Sequence, residues 1–546
     1  MVQLFMLLAT PYGYTHGHGS GLRGTCYTFQ SNTLSAKMDS TGGQPTSPRF
    51  YRTSLAAITI LFLLLASGGA FTRRPGGDEV FSANSAKSLA FLGKSGMTVM
   101  EPTGLGNKPG SNLIRINEHN YHIMPLSFVG QAAWYKIFGF SILATRFYSV
   151  LWGVVLLLSW NYSVWKLTRD PNIALLTTFF LAIDFLFVQS STDGRPDMMG
   201  ASLGAAGLAL YLGLRETSLG RAIFAGVAML TLALFTHPIA AMAAVPLGLA
   251  YLLLDARRFH WSHVLLAATP FLIGAGAYGL FILQDPVAFQ AQFGANASGR
   301  LVGLAHPLEA IRREIGLRYL ENLYLPHYAR GVAVLRIFVI LSYWGAVLWI
   351  AFSGRLRNDP RFRLVLLTIA IQFLLFTVFE GNKNSYYLVH IMPFYAAALA
   401  ICLMRVRMMG PALRMAGNGM LVVLSLLQLS WIGLSVVKNP YKNSYVPAIA
   451  FLREHAGTSG TITGSGELGF ALGFEGNLRD DSTLGFYSGR KSDFIVIDEN
   501  MYKQSLSAYG GKIPALDVYV KHLLSDEYHR VYDGPYYEIY QRNGKM

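Results

Sequence analysis

Arg73-Arg74-Pro75-Gly76-Gly77-Asp78-Glu79 sets two adjacent carboxylates behind a glycine pair that lets the chain turn sharply. Such a pair can supply a base to a hydroxyl nucleophile or hold a cation; the plainer reading is two solvated loop acids. Asp193-Gly194-Arg195-Pro196-Asp197 offers in Arg195 a planar fork suited to phosphate. Arg195 could equally be a partner for Asp193 or Asp197, and Asp197 could be an ordinary helix-start acid. Lys383-Asn384-Ser385-Tyr386-Tyr387 puts an ammonium beside tyrosines, which suits a lipid phosphate or an interfacial anchor. His237-Pro238 reads as a turn before it reads as catalysis. Asp184 stands alone in an apolar run and should pair with a neighbouring helix.

The elements that must carry these residues follow from composition. Of 546 residues 52% are hydrophobic and only 14% charged, with a mean hydropathy of +0.35. A soluble chain carries about a quarter charged residues. The apolar residues fall in runs long enough to cross ~30 Å of hydrocarbon, at 53–71, 142–165, 172–189, 198–214, 222–236, 239–254, 264–283, 332–352, 364–379, 386–404 and 416–437. This pattern excludes a soluble, fibrous or disordered chain and predicts a polytopic α-helical membrane protein of about eleven spans. The net charge of +15 raises nucleic acid as a partner, but the basic residues have a topological explanation. Five short connections hold thirteen Lys and Arg against four acids, and all five join even to odd spans. By the positive-inside rule the N-terminus is cytoplasmic and the C-terminus extracytoplasmic. No nucleic acid is expected.

Residues 1–52 read as a cytoplasmic tail without persistent structure, 53–437 as the membrane domain, and 438–546 as a small extracytoplasmic α/β domain. Met38 is an alternative start, and Cys26 and Cys402 make no disulfide framework. Long loops at 72–141 and 284–331 lie on the outer face with Asp78, Arg195 and Lys383. Residues 125–138 and 307–323 should be interfacial helices, the second with Leu308, Ile311, Ile315 and Tyr319 on one stripe and Arg312, Arg313 and Glu314 off it. Arg300, Arg312, Arg313, Arg318 and Arg330 form an outer basic patch suited to an anionic lipid headgroup. Gly464-Ser-Gly466-Glu-Leu-Gly469 has dinucleotide-fingerprint spacing, but its short preceding strand and outward placement favour a glycine-rich turn.

A carboxylate pair soon after the first span, a surface helix running into Phe138-Gly139-Phe140-Ser141 and Arg146, and Arg195-Pro196-Asp197 opening a later span resemble the GT-C glycosyltransferases. The likeness is to the dolichyl-phosphate-mannose–protein mannosyltransferase superfamily (glycosyltransferase family 39-like) and its bacterial aminoarabinose and mannose transferase relatives, over about residues 53–405. The resemblance implies inverting sugar transfer from a polyprenyl-phosphate donor to a lipid, glycan or protein acceptor outside a cell inner (plasma) membrane. It gives Asp78 the role of base and Glu79 that of its orienting neighbour, or a ligand if a divalent cation is bound. Arg195 and Lys383 would neutralise the departing phosphate, Tyr386 would donate to it, and Asp197 and His122 would support the site. His122-Ile-Met-Pro125 has one proline where the family has two in tandem. A polyprenyl-linked polysaccharide polymerase or ligase, or a secondary transporter or flippase, are the alternatives. No internal repeat is visible and only Asp184 fits the mid-span charges that transport would predict, which counts against transport, and the outward-facing site counts against nucleotide-sugar donors.

Overall fold

The computed structural model describes residues 47–102, 113–298, 300, 306–321 and 330–544. Most of the expected tail 1–52, with Cys26 and Met38, lies outside the described residues. The main helices up to residue 456 are, in chain order, α1 (Pro48–Thr72), α2 (Gly77–Leu92), α3 (Pro125–Phe138), α4 (Ile142–Thr168), α5 (Pro171–Ile183), α6 (Phe185–Ser191), α7 (Pro196–Leu214), α8 (Leu219–Thr236), α9 (Ala241–Asp255), α10 (Trp261–Ile282), α11 (Pro307–Arg313), α12 (Arg330–Phe352), α13 (Pro360–Phe379), α14 (Met392–Val406), α15 (Pro411–Lys438) and α16 (Val446–Ala456). Among the described residues eight helices are long and apolar enough to cross a membrane, nine if α5 and α6 form one broken span. The expected spans at 332–352 and 386–404 are apolar helices too, but α14 has only 15 residues, about 22 Å of rise.

Local chemistry sets the helix starts. Asp170 and Asp359 cap helices whose first residue is proline, and the Asp170 carboxylate accepts from the amides of Asn172 and Ile173 at 2.8 and 3.3 Å. Asp184 breaks the third span, bending it by 65°. Its Oδ1 caps α6 through the Phe187 amide (3.0 Å), and its Oδ2 accepts from the Tyr343 hydroxyl and the Gln428 amide, both at 2.9 Å. The expected partnership with neighbouring helices is therefore made by neutral donors. Helix α7 is the most deeply buried span; Gly200, Ala201, Ser202, Gly204, Ala205, Ala206 and Gly207 let its neighbours approach closely.

The basic connections meet at one end of the bundle. Arg215 and Arg258 share Asp255 at 2.8 and 3.0 Å, and Arg361 reaches the Thr168 carbonyl. Connections far apart in sequence thus share one face, as the charge count requires.

Helix α3 forms as expected. Over 307–323 the expected helix changes form partway and its stripe is divided. The chain leaves α11 for a π-helical turn over Glu314–Glu321, which shifts the helical register. The buried side is Ala310, Glu314, Arg318 and Tyr319, while Leu308 is 83% exposed and Ile311 is exposed.

The C-terminal segment is a five-stranded sheet: β1 (Ile462–Thr463), β2 (Leu478–Arg479), β3 (Phe494–Asp498), β4 (Tyr528–Asp533) and β5 (Tyr537–Arg542), ordered β2-β1-β3-β5-β4. β1 pairs in parallel with β2 and β3, and β5 pairs antiparallel with β3 and β4, with Ile495 opposite Tyr540. The glycine-rich motif is a short turn, Gly466–Leu468, following β1. One face of the sheet packs on its own segment, with Leu484, Ile495, Ile497, Tyr502, Leu523 and Tyr528 in one cluster, but the other face does not. Val80 and Ala83 of α2, with Met97, Val99 and Met100, are packed into one cluster with Ile449, Leu452, Leu468, Phe474 and Val496. Met100 also bridges Asp480 in parallel, extending the sheet beyond β2. The outer loop after α1 and the α/β segment therefore share one hydrophobic core.

Candidate functional site

Asp78 and Glu79 open α2, where carboxylates suit the positive helix end, yet their environments diverge. Glu79 is 1% exposed and lies in a fork with Arg146, Nε to Oε1 at 3.0 Å and Nη2 to Oε2 at 3.1 Å. The remaining Arg146 nitrogen donates to the Ala70 and Arg73 carbonyls at 2.8 and 2.7 Å. An arginine in the second turn of α4 needs such a partner to be buried at all. Both Glu79 oxygens are engaged, so the adjacent pair does not make a two-carboxylate cation site. Among the described residues no group of three or more His, Cys, Asp or Glu is placed to hold a metal ion.

The Asp78 carboxylate points the other way and is 59% exposed. It accepts from Arg195 Nη1, while Arg195 Nε donates to Asp197 Oδ2 at 2.8 Å. The Arg195 guanidinium is only 8% exposed and its carbon sits 4.7 Å from the centre of the Tyr386 ring and 6.0 Å from that of Tyr387. Asp193, the other acid beside Arg195, is buried and bound by Arg73 at 3.2 Å. Between them Gly194 has φ +59°, and a Cβ there would meet Thr145 Cγ2 at 2.7 Å and Glu79 Cγ at 2.8 Å. Only glycine lets the turn that carries Arg195 close over Glu79.

His122 packs against Phe81 with ring centres 5.2 Å apart and planes tilted by 30°. Burial, with the Arg300 charge adding to it, holds its pKa down at about 4 against a smaller upward pull from Asp78. His237 lies 3.9 Å from Asp197 and is likewise held at about 4, chiefly by burial. Near neutrality neither histidine is a cation, so the positive charge around Asp78 comes from arginines. Arg300 is one of them: it donates to the Tyr387 hydroxyl at 3.3 Å and to Asn296 at 3.1 Å.

Asp78, Arg195, Asp197, Tyr386 and His122 are thus brought into one neighbourhood. Lys383 belongs to a different cluster. Its ammonium donates to the Phe376 and Thr377 carbonyls at 3.0 and 2.7 Å and pairs with Glu314 at 3.0 Å. Glu314 and Glu380 both bind the buried Arg318, at 2.5 and 2.7 Å. The sequence offered Arg146 only within the motif order and Arg300 only within the outer basic patch, and gave Arg73 no role; an arginine five residues into an apolar span was the further signal for Arg146.

Fold and site define a class, a multi-span protein with an exposed carboxylate and buried arginines grouped at one end of the bundle. Residues 124–277 match the model of the dolichyl-phosphate-mannose-protein mannosyltransferase family. Comparison with curated protein sequences gives no match. Among solved structures, the chain is similar to ArnT from Cupriavidus metallidurans bound to undecaprenyl phosphate, with 14% identity, a TM-score of 0.56, and coverage of 90% of this chain and 98% of that one. It is also similar to the oligosaccharyltransferase AglB from Archaeoglobus fulgidus in complex with an inhibitory peptide and a dolichol-phosphate, with 13% identity, a TM-score of 0.50, and coverage of 86% and 72%. The fold is the GT-C fold, and the family match lies within its membrane-spanning part.

Proposed function

We propose that this chain is a membrane glycosyltransferase that moves a sugar from a polyprenyl-phosphate donor to a hydroxyl acceptor on the extracytoplasmic face, with inversion and with Asp78 as general base. The observation that carries this reading is the contrast in access around Arg195. Asp193, Asp197 and Glu79 are buried and paired, whereas Asp78 alone of the four presents its carboxylate to solvent. An acceptor reaches that carboxylate without breaking the buried charge network.

In this reading Asp78 takes the acceptor hydroxyl proton as the oxygen attacks the anomeric carbon from the face opposite the phosphate. The carbon–oxygen bond to phosphate breaks, and the polyprenyl phosphate leaves with an added negative charge. Arg195 faces that charge, backed by Asp197, which holds the guanidinium in place. Arg300 adds a second positive charge, and Tyr386 donates a hydrogen bond to a phosphate oxygen. Fixed donors of this kind, desolvated before the reaction, supply most of the stabilisation in such sites. Lys383, with its three N–H bonds used by Glu314 and two carbonyls, is better suited to holding the 380–386 loop beneath Tyr386. The undecaprenyl phosphate of the ArnT structure and the dolichol-phosphate of the AglB structure support the donor class. A lipid, a glycan or a protein can each supply the acceptor hydroxyl. The N-terminus lies in the cytoplasm and the site outside the inner (plasma) membrane.

The test uses membranes containing the full chain and a panel of labelled polyprenyl-phosphate sugars. Asp78→Asn should lower transfer by about 10²–10⁴-fold while leaving expression and thermal unfolding unchanged. Full transfer by that variant removes Asp78 as the base.

A further inference from the structure

Two adjacent arginines lead into the site segment, and they are anchored in different bodies. Arg73 binds the end of α6 and the loop after it, through the Gln189 carbonyl at 2.9 Å, the Thr192 hydroxyl at 3.2 Å and Asp193. Arg74 turns into the C-terminal sheet segment. Its guanidinium carbon lies 3.1 Å from the centre of the Tyr536 ring and 6.0 Å from that of Tyr537, with Nη1 3.7 Å from Glu467 Oε1. Glu467 is itself buried and accepts from the Tyr537 hydroxyl. Three residues further on, a Cβ on Gly77 would lie 2.8 Å from Met501 Cε and Sδ, so the backbone beside Asp78 runs against the loop after β3. The next turn of α2 puts Val80 and Ala83 into the shared core.

The segment from Arg73 to Val80 is therefore held on one side by the membrane helices, through Arg73 and Glu79, and on the other by the C-terminal segment, through Arg74 and Gly77. Arg74 does not reach the Asp78 carboxylate, so it acts through the backbone. We infer that Arg74 is a positioning residue: by stacking on Tyr536 it lets the C-terminal domain set the place of Asp78 over Arg195, making that domain part of the active-site assembly. This rests on the reading of Asp78 given above. A base must sit within hydrogen-bond reach of the proton it takes, and a 1 Å misplacement costs on the order of 10²-fold in rate.

The test compares Arg74→Ala, Tyr536→Ala, their double variant and Lys87→Ala in the full chain, with Asp78→Asn alongside. Lys87 pairs with Glu475 at 3.0 Å across the same interface but lies two turns past Asp78, so Lys87→Ala reports docking alone. In Arg74→Ala, amide exchange of peptides within 73–82 should speed by at least about tenfold while β3 stays protected, because the lost stack frees one local segment. In the transfer assay kcat should fall roughly 10- to 100-fold with KM for the donor within about twofold, a loss confined to the chemical step. Tyr536→Ala should match it, and the double variant should be no worse than the worse single one, since both remove the same contact. Lys87→Ala should leave both readouts near wild type. Unchanged exchange, unchanged kcat, additive losses, or an equal loss in Lys87→Ala would each overturn the inference. An Asp78→Asn variant that keeps full transfer would sink the base assignment instead, whatever Arg74→Ala does.

Discussion

Asp78 and Glu79 are neighbours in the chain, yet one is 59% exposed and the other 1%. The i, i+1 relation on a helix sends them to different faces, so one meets solvent and Arg195 while the other meets Arg146. Their substitutions should separate accordingly. Glu79→Gln leaves the buried Arg146 charge uncompensated and should cost about 3–5 kcal/mol, read as a lower unfolding temperature in detergent. Arg195→Lys keeps the charge but cannot bridge Asp78 and Asp197 as a planar fork does. It should lower transfer by about 10²-fold with little effect on unfolding, which kcat and thermal scans together would check. Glu467 offers a pH prediction. Burial raises its carboxyl to about 8 in the folded chain, above the ordinary unfolded value of ~4.3. The folded state then keeps a proton that the unfolded state has lost, so folding stability falls as pH rises between about 4.3 and 8. Glu467→Gln does not titrate. Its unfolding temperature, measured against wild type from pH 5 to 9, should show a smaller decline over that window.

At the scale of elements, the site is assembled by breaks in helices: the turn between α1 and α2, the end of α6, the proline start of α7, and the 380–386 loop before α14. Gly194 makes the closest of these junctions possible. Gly194→Ala adds a Cβ 2.7–2.9 Å from Thr145 and Glu79 at a positive φ, and should cost about 1–3 kcal/mol in strain and overpacking. Because the displaced neighbour is Glu79, transfer should fall together with thermal stability. A variant with normal stability and normal transfer would mean the turn can open without moving Asp78. The π-helical turn over Glu314–Glu321 has a comparable role. It turns Glu314 and Arg318 inward to bind Glu380 and Lys383, and Arg318 also donates to the Asn384 carbonyl at 2.6 Å.

For the whole molecule, the arginine-bearing short connections cluster at one end and the carboxylate–arginine site at the other. With the positive-inside rule, reporter fusions at residues 100 and 450 should both land outside the cytoplasm. Either one landing inside would reverse the orientation and the access of the site to its donor. Most spans, the helix over 125–138 and the α/β character of the C-terminal segment were legible in the sequence, because each depends on hydrophobic length or period within a short stretch of chain. Asp78 and Arg195 were legible as candidates because charge beside a membrane span is costly and therefore rare. What the sequence could not determine was partnership. That Arg195 lies between Asp78 and Asp197, that Arg146 rather than solvent holds Glu79, that Lys383 turns to Glu314, and that Arg74 crosses to Tyr536 were all decided by tertiary structure. In most of these pairs the partners lie from 67 to several hundred residues apart, and a buried charge takes whichever opposite or aromatic group packing brings within reach. Local sequence sets which residues must find a partner near the membrane surface; only the packed helices and the docked sheet settle which partner each one finds.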